Sequence, residues 1–204
     1  MKIKLCGVRT VADALLCAEA GADEIGVIFA PKSRRCVTVT EAAAIRAALP
    51  APLPLVGVFQ DASASDVAAV AAHVSLSAVQ LHGRLPGFLA LKSIPQPIYR
   101  ALQVTDAAAL ALQGRLESFA RILLDAPAGG GSGKVFDWAL VRLARKRFAP
   151  PIFLAGGLTP DNIAQAIAVA HPDGVDVASG IEGKDGFKDA ARVRAFMQAA
   201  RATS

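Results

Sequence analysis

Phe153-Leu154-Ala155-Gly156-Gly157-Leu158-Thr159-Pro160-Asp161-Asn162 and, a little further on, Val175-Asp176-Val177-Ala178-Ser179-Gly180-Ile181-Glu182 are two short apolar runs that each break off at glycine. They predict two strands, the first followed by a helix with Thr159 as N-cap and Pro160 at its first position. The two strand ends then offer bare backbone N–H groups side by side. In a closed (β/α)8 barrel the loops after strands seven and eight are the usual seat of a phosphate, because glycine lets the backbone approach an anion and a helix N-terminus adds positive potential. Gly156, Gly157, Ser179 and Gly180 are therefore the expected anion-binding positions, and the expected ligand is a small phosphorylated substrate.

Upstream of this pair, the chain repeats one theme. Strands are expected at Lys2 to Cys6, Glu24 to Phe29, Leu55 to Phe59, Ser77 to Leu81, Ile98 to Leu102 and Ile122 to Asp125. Each precedes a helix-start signal: Thr10 with Asp13 in a capping-box arrangement, Thr40-Glu41, Ser63 with Asp66, a short helix after Pro86, Thr105-Asp106, and Asp137. A last helix is expected from about Lys188 to Arg201. Strand–helix alternation demands parallel strands with right-handed crossovers. Eight such units predict an α/β fold, a parallel eight-stranded (β/α)8 TIM barrel, as one domain over residues 1–204. An open doubly wound sheet is the competitor, but Cys6-Gly7-Val8-Arg9 after the first strand is not a nucleotide fingerprint.

Composition narrows the function classes. With 204 residues and 53% hydrophobic content the chain can bury one sizeable core. Much of that apolar content is alanine, and no uninterrupted run reaches the roughly 18 residues of a membrane span. The start, Met1 to Gly7, is too quickly polar for a signal peptide. Cys6, Cys17 and Cys36 cannot all pair and have no metal spacing, which points to a reducing, cytoplasmic setting. The net charge of +5 is modest, and Arg142, Arg145, Lys146 and Arg147 read as one solvated helix face. Without interleaved aromatics there is no nucleic-acid surface.

Function in this fold belongs to the carboxyl ends of the strands. Cys6, Arg34, Arg35, Gln80, His82 and Asp125 fall there, with the glycine loop Gly129 to Gly133 and Lys134 after strand six. His73, His82 and His171 are scattered, so no metal is expected. Cys6 is either a small core residue or a thiolate base whose pKa is depressed by nearby cations. Asp125 ends an apolar strand and either caps a loop or, with its pKa raised by burial, serves as general acid. Together they suit an isomerisation that moves a proton without a cofactor. His82 is either a satisfied rim residue or a substrate contact. The glycine loop lacks P-loop spacing and is expected to act as a lid. Strand alternation puts Lys4 on the face of Cys6, and a buried lysine needs a carboxylate, so a Lys4–Asp176 pair is expected beneath the site.

Taken together, Lys4-Leu5-Cys6-Gly7, the Lys32-Ser33-Arg34-Arg35 loop, Val56-Gly57-Val58-Phe59, Gln80-Leu81-His82-Gly83, Leu123-Leu124-Asp125, Gly130-Gly131-Ser132-Gly133-Lys134 with Phe136-Asp137-Trp138, Leu154-Ala155-Gly156-Gly157-Leu158 and Asp176 to Glu182 resemble the motifs of the phosphoribosylanthranilate isomerase family. The resemblance runs in order from residue 2 to about residue 196. It implies a cofactor-free Amadori rearrangement in tryptophan biosynthesis, in which N-(5-phosphoribosyl)anthranilate becomes 1-(2-carboxyphenylamino)-1-deoxyribulose 5-phosphate. It implies Cys6 as general base, Asp125 as general acid, and Arg35 as the arginine holding the anthranilate carboxylate. Gln80 and His82 are the accompanying substrate-binding candidates, and Arg34 and Arg35 are not distinguishable by physics. Leu5 stands where isoleucine is common and Ala178 where serine is common. Indole-glycerol-phosphate synthase, another phosphate-binding barrel, would need a lysine acid and a carboxylate base. A catalytically dead regulatory barrel is the alternative of another class. Monomer and homodimer are both open.

Overall fold

The computed structural model describes residues 1–103, 107–111, 116–125 and 137–203. Eight parallel strands close into a barrel in sequence order: β1 (Lys2–Leu5), β2 (Glu24–Ile28), β3 (Leu55–Gln60), β4 (Ala78–His82), β5 (Ile98–Gln103), β6 (Arg121–Asp125), β7 (Ile152–Ala155) and β8 (Gly174–Val177). Closure is made by β1 on β8, with Lys4 opposite Asp176 and Leu5 opposite Val177. The expected strands thus stand where their apolar runs placed them, with ends displaced by a residue or so. A closed ring leaves no sheet edge, so every strand has two backbone partners.

Helices α1 (Val11–Glu19), α2 (Val39–Ala48), α3 (Ala64–Val74), α4 (Phe88–Leu91), α5 (Ala107–Ala111), α6 (Ala139–Arg147), α7 (Ile163–Ala170) and α8 (Ala190–Ala202) follow the strands in turn. The caps show local chemistry at work. Ser63 begins α3 by accepting from the Asp66 amide, as its spacing predicts. Thr10 accepts from the Asp13 amide at 3.0 Å, but the box is only half made, because the Asp13 carboxylate turns instead to the Lys188 amide. The second helix opens at Thr38 and not at Thr40-Glu41: Thr38 and Glu41 form a complete capping box, which satisfies two amides where a start at Thr40 would leave them bare. Thr159 is not the side-chain cap of α7. Residues 159–162 make a turn in which Asn162 Oδ1 accepts from the Thr159 amide and Asn162 Nδ2 donates to the Gly157 carbonyl, and the helix begins at Ile163. Thr105-Asp106, the glycine loop with Lys134, and Phe136 lie outside the described residues.

The outer layer, between strands and helices, is aliphatic, with Ile3, Leu5, Ile25, Ile122, Leu124 and Ile152 fully buried against helical alanines such as Ala14, Ala42 and Ala166. The inner layer is separate: Val56, Ala78, Tyr99, Ala101, Leu123, Phe153 and Ala155 form their own cluster. Through it runs an ion pair. Arg121 at the start of β6 donates to both oxygens of Glu24 at the start of β2, at 2.5 and 2.7 Å, with both residues buried. Those strands stand four places apart in an eight-membered ring, so the pair crosses the lumen from wall to wall. The guanidinium lies against the rings of Phe153, at 3.8 Å, and Tyr99, at 4.1 Å. Arg142, Arg145, Lys146 and Arg147 are all exposed on α6, as a solvated face should be. Among the described residues, no helix is long and apolar enough to cross a membrane.

Candidate active site

The mouth of the barrel is organised by a second buried pair. Lys4 Nζ lies 2.9 Å from Asp176 Oδ1, with the lysine side chain fully buried, as strand alternation predicts. Burial alone would drain charge from the ammonium, but Asp176 and Cys6 beside it reverse the balance and raise its pKa. Cys6 follows β1 directly and is buried. Gly26 on β2 makes room for it: a Cβ there would come within 2.6 Å of Cys6 Sγ and 3.0 Å of Lys4 Nζ. Thiol and ammonium therefore share one face and one pocket of space.

The thiol itself departs from expectation. Lys4 and Lys188 do favour its charged form, but burial outweighs them and the Cys6 pKa is raised, not depressed. A sequence reading can count cations, whereas desolvation depends on how completely the strand end is covered. Asp125, the last residue of β6, does follow expectation. Burial and the nearby Asp176 push its carboxyl up to about 6, against a partial opposing pull from Lys4. Asp125 and Cys6 thus both feel the Lys4–Asp176 pair. Register places Asp125 level with Ala155, and Ala155 level with Asp176, so one ring of residues joins β6 to β1 around the mouth.

On β4, Gln80 is buried and its amide Nε2 donates to His82 Nε2 at 2.8 Å. Burial pulls the His82 pKa down to about 4, so the ring is neutral near pH 7 and carries its proton on Nδ1. The contact satisfies His82 Nε2, while Gln80 Oε1 is buried without a partner among the described residues.

The two turns of the opening stretches come together as expected. Gly157 has φ +67°, which glycine alone adopts freely. After β8, residues Ser179–Ile181 form a 3-10 turn, and a Cβ on Gly180 would lie 1.8 Å from the Leu158 carbonyl oxygen. Only glycine lets the two turns touch. The Gly157 N–H has no acceptor among the described residues.

Arg35 brings a group that sequence reasoning did not assign. Its stem lies over Gly7, whose Cβ would meet Arg35 Cδ at 2.5 Å, so the guanidinium is held at the end of β1. It donates from Nε and Nη2 to the two oxygens of Glu182, at 2.5 and 2.9 Å. Glu182 is buried and also receives Lys188 Nζ at 3.3 Å and the exposed Arg34 at 2.9 Å. Burial pushes the Glu182 carboxyl up, but Arg35 and Lys188 more than offset it and leave it below its ordinary range. Lys188 is fixed in turn by the Ala178 carbonyl at 2.9 Å and, through its backbone, by Asp13. The only sequence signal for Glu182 is its place directly after the second glycine-bearing turn. Its arginine partners lie 147 and 148 positions away. Among the described residues no His, Cys, Asp and Glu side chains gather as a metal site.

A closed parallel barrel whose C-terminal mouth gathers a thiol, a carboxyl of raised pKa and two glycine-bearing turns has the arrangement of a barrel enzyme. Known proteins agree and sharpen this. The model of the N-(5'-phosphoribosyl)anthranilate isomerase family matches residues 3–199. The N-(5'-phosphoribosyl)anthranilate isomerase of Pseudomonas putida is 42% identical over 206 residues, 98% of each chain. The crystal structure of phosphoribosyl anthranilate isomerase from Thermotoga maritima superposes with a TM-score of 0.91 at 37% identity, covering 99% of both chains. A crystal structure of such an isomerase in complex with reduced 1-(o-carboxyphenylamino)-1-deoxyribulose 5-phosphate gives 0.88 at 35% identity, again over 99% of both. The chain belongs to the phosphoribosylanthranilate isomerase family, whose members are intramolecular isomerases.

Proposed function

We propose that this chain converts N-(5-phosphoribosyl)anthranilate to 1-(2-carboxyphenylamino)-1-deoxyribulose 5-phosphate in tryptophan biosynthesis, with Asp125 as general acid and Cys6 as general base. The observation that carries this is the carboxyl at the end of β6, pushed to about 6 and facing the same buried ion pair as the thiol at the end of β1. Asp125 gives its proton to the furanose ring oxygen, the C1–O bond breaks, and a protonated Schiff base forms. The Cys6 thiolate then takes the proton from C2, and the C–H electrons flow into the iminium to give an enolamine. Tautomerisation to the ketone adds a proton at C1 and removes one from the C2 hydroxyl, so no net proton is used. The enzyme is left with one proton moved from Asp125 to Cys6, which returns through solvent before the next turnover.

Each step moves a proton or an electron pair within the substrate, so the chemistry asks for no redox cofactor. Burial leaves the thiolate a minority species, but the positive Schiff base arises beside it and favours the charged thiol at the step that needs it. Gly156, Gly157, Ser179 and Gly180 would receive the phosphate, Arg35 the anthranilate carboxylate, and Gln80 with His82 would line the rim. All of these groups come from one chain, so a monomer and a homodimer serve this reading equally, and a cytoplasmic location suits it. Purified protein given freshly made substrate should abolish anthranilate fluorescence, and Cys6→Ala or Asp125→Asn should lose roughly 10²–10⁴-fold in kcat. Absence of turnover by the wild type, or near-normal kcat in Cys6→Ala, overturns it.

A further inference from the structure

Among the described residues, Arg35 is held by one edge only. Its bonds to Glu182 use Nε and one hydrogen of Nη2. A guanidinium has five N–H groups in a rigid plane, so the fork formed by Nη1 and the second Nη2 hydrogen remains, and it points directly away from the stem. That fork has the geometry for a bidentate bond to a second carboxylate. Glu182 can hold the plane still because it does not move itself: its side chain is 3% exposed, and Lys188, whose own side chain is wholly buried, bonds Oε1 from another direction. Lys188 is tied down by the Ala178 carbonyl and by Asp13 on α1. The loop that carries it is clamped as well, since Arg9 donates to the Gly186 carbonyl at 2.8 Å and lies over the Phe187 ring at 4.0 Å.

We propose that Glu182 is a positioning residue for substrate selection: it grips the Nε edge of Arg35 so that the free fork faces the mouth beside Cys6 and selects amino-sugar phosphates whose amine carries an ortho-carboxylate. The inference rests on the isomerase reading above. Without Glu182 the guanidinium keeps its charge but loses its plane, and the bidentate fit to the substrate carboxylate goes with it. Glu182 contacts neither Asp125 nor Cys6, so a substrate lacking the carboxylate loses only what Lys188 and Arg35 pass on to the thiol.

The test compares N-(5-phosphoribosyl)anthranilate with N-(5-phosphoribosyl)aniline, which lacks the carboxylate, on wild type, Glu182→Gln, Arg35→Lys and the double variant. Wild type should prefer the anthranilate compound. Glu182→Gln should lose roughly 10–10²-fold in kcat/KM for that compound, mostly through KM, and should change little with the aniline compound. The double variant should be no worse than Arg35→Lys alone, because Glu182 acts through Arg35. Equal losses on both substrates, or additive losses in the double variant, would mean that Glu182 only supports the fold, and the proposal would fail. A wild type that turns over neither compound defeats the isomerase reading instead, so the two failures are distinct.

Discussion

Replacing Asp125 with Asn should make the protein more stable while it removes the proposed acid. The folded carboxyl titrates at about 6 against an ordinary 3.8, first because burial disfavours its charge and then because Asp176 repels it, with Lys4 opposing. A carboxyl raised in the folded state binds its proton more tightly there than in the unfolded chain. Its contribution is therefore neutral below about pH 4, grows into a penalty as pH rises to about 6, and is constant above. A gap of about two pH units at roughly 1.4 kcal/mol each sets a ceiling of about 3 kcal/mol, and water entering the mouth lowers what is measured. Asn keeps the shape and loses the charge. Urea unfolding at neutral pH should thus show Asp125→Asn more stable by about 1–3 kcal/mol with an unchanged m-value, and the advantage should vanish toward about pH 4. A variant no more stable than wild type at neutral pH, or a gain independent of pH, refutes the reasoning. A stabilised but inactive variant would be the expected signature of a group held in an unfavourable state for chemistry.

Two further expectations concern packing. Gly26→Ala puts a Cβ 2.6 Å from Cys6 Sγ, so the thiol must shift, and kcat should fall by roughly 10–10²-fold with the fold intact by circular dichroism. An unchanged kcat would show that the position of the sulfur is not critical. Arg121→Met strands Glu24 in the lumen and should cost about 3–5 kcal/mol in urea unfolding, most of it recovered when Glu24→Gln is added. Equal stability of the single variant and wild type would mean that the crossing pair is energetically idle.

The sequence carried much of this in plain form. Apolar runs that stop at Gly156, Gly180 or Asp125 mark the strand ends, because a strand buried on both faces has no polar alternation to blur its length. The Lys4–Asp176 pair was readable because alternation fixes which residues share a face, and a buried ammonium must find a carboxylate. The crossing of Arg121 to Glu24 was not, since it depends on the ring closing at eight strands before the two become opposite. Glu182 escaped assignment for a similar reason: its three cations come from the loop after β2 and the loop before α8, and nothing local points to them. The start of α2 turned on a choice between two threonines, which the reciprocal bonds of Thr38 and Glu41 decide. For Cys6 the sequence supplied the location and the cations, while the direction of its pKa waited on burial.

The salt link from wall to wall has one more effect. With Arg121, Glu24, Tyr99 and Phe153 packed across it, the lumen is plugged beneath the site and is not an open channel from end to end. In the proposed cycle the enzyme must regain its starting protonation, and the lip is the passage left for that exchange. Departure of the ketose and recharging of the acid would then queue at one doorway, so slowing the first would slow the second.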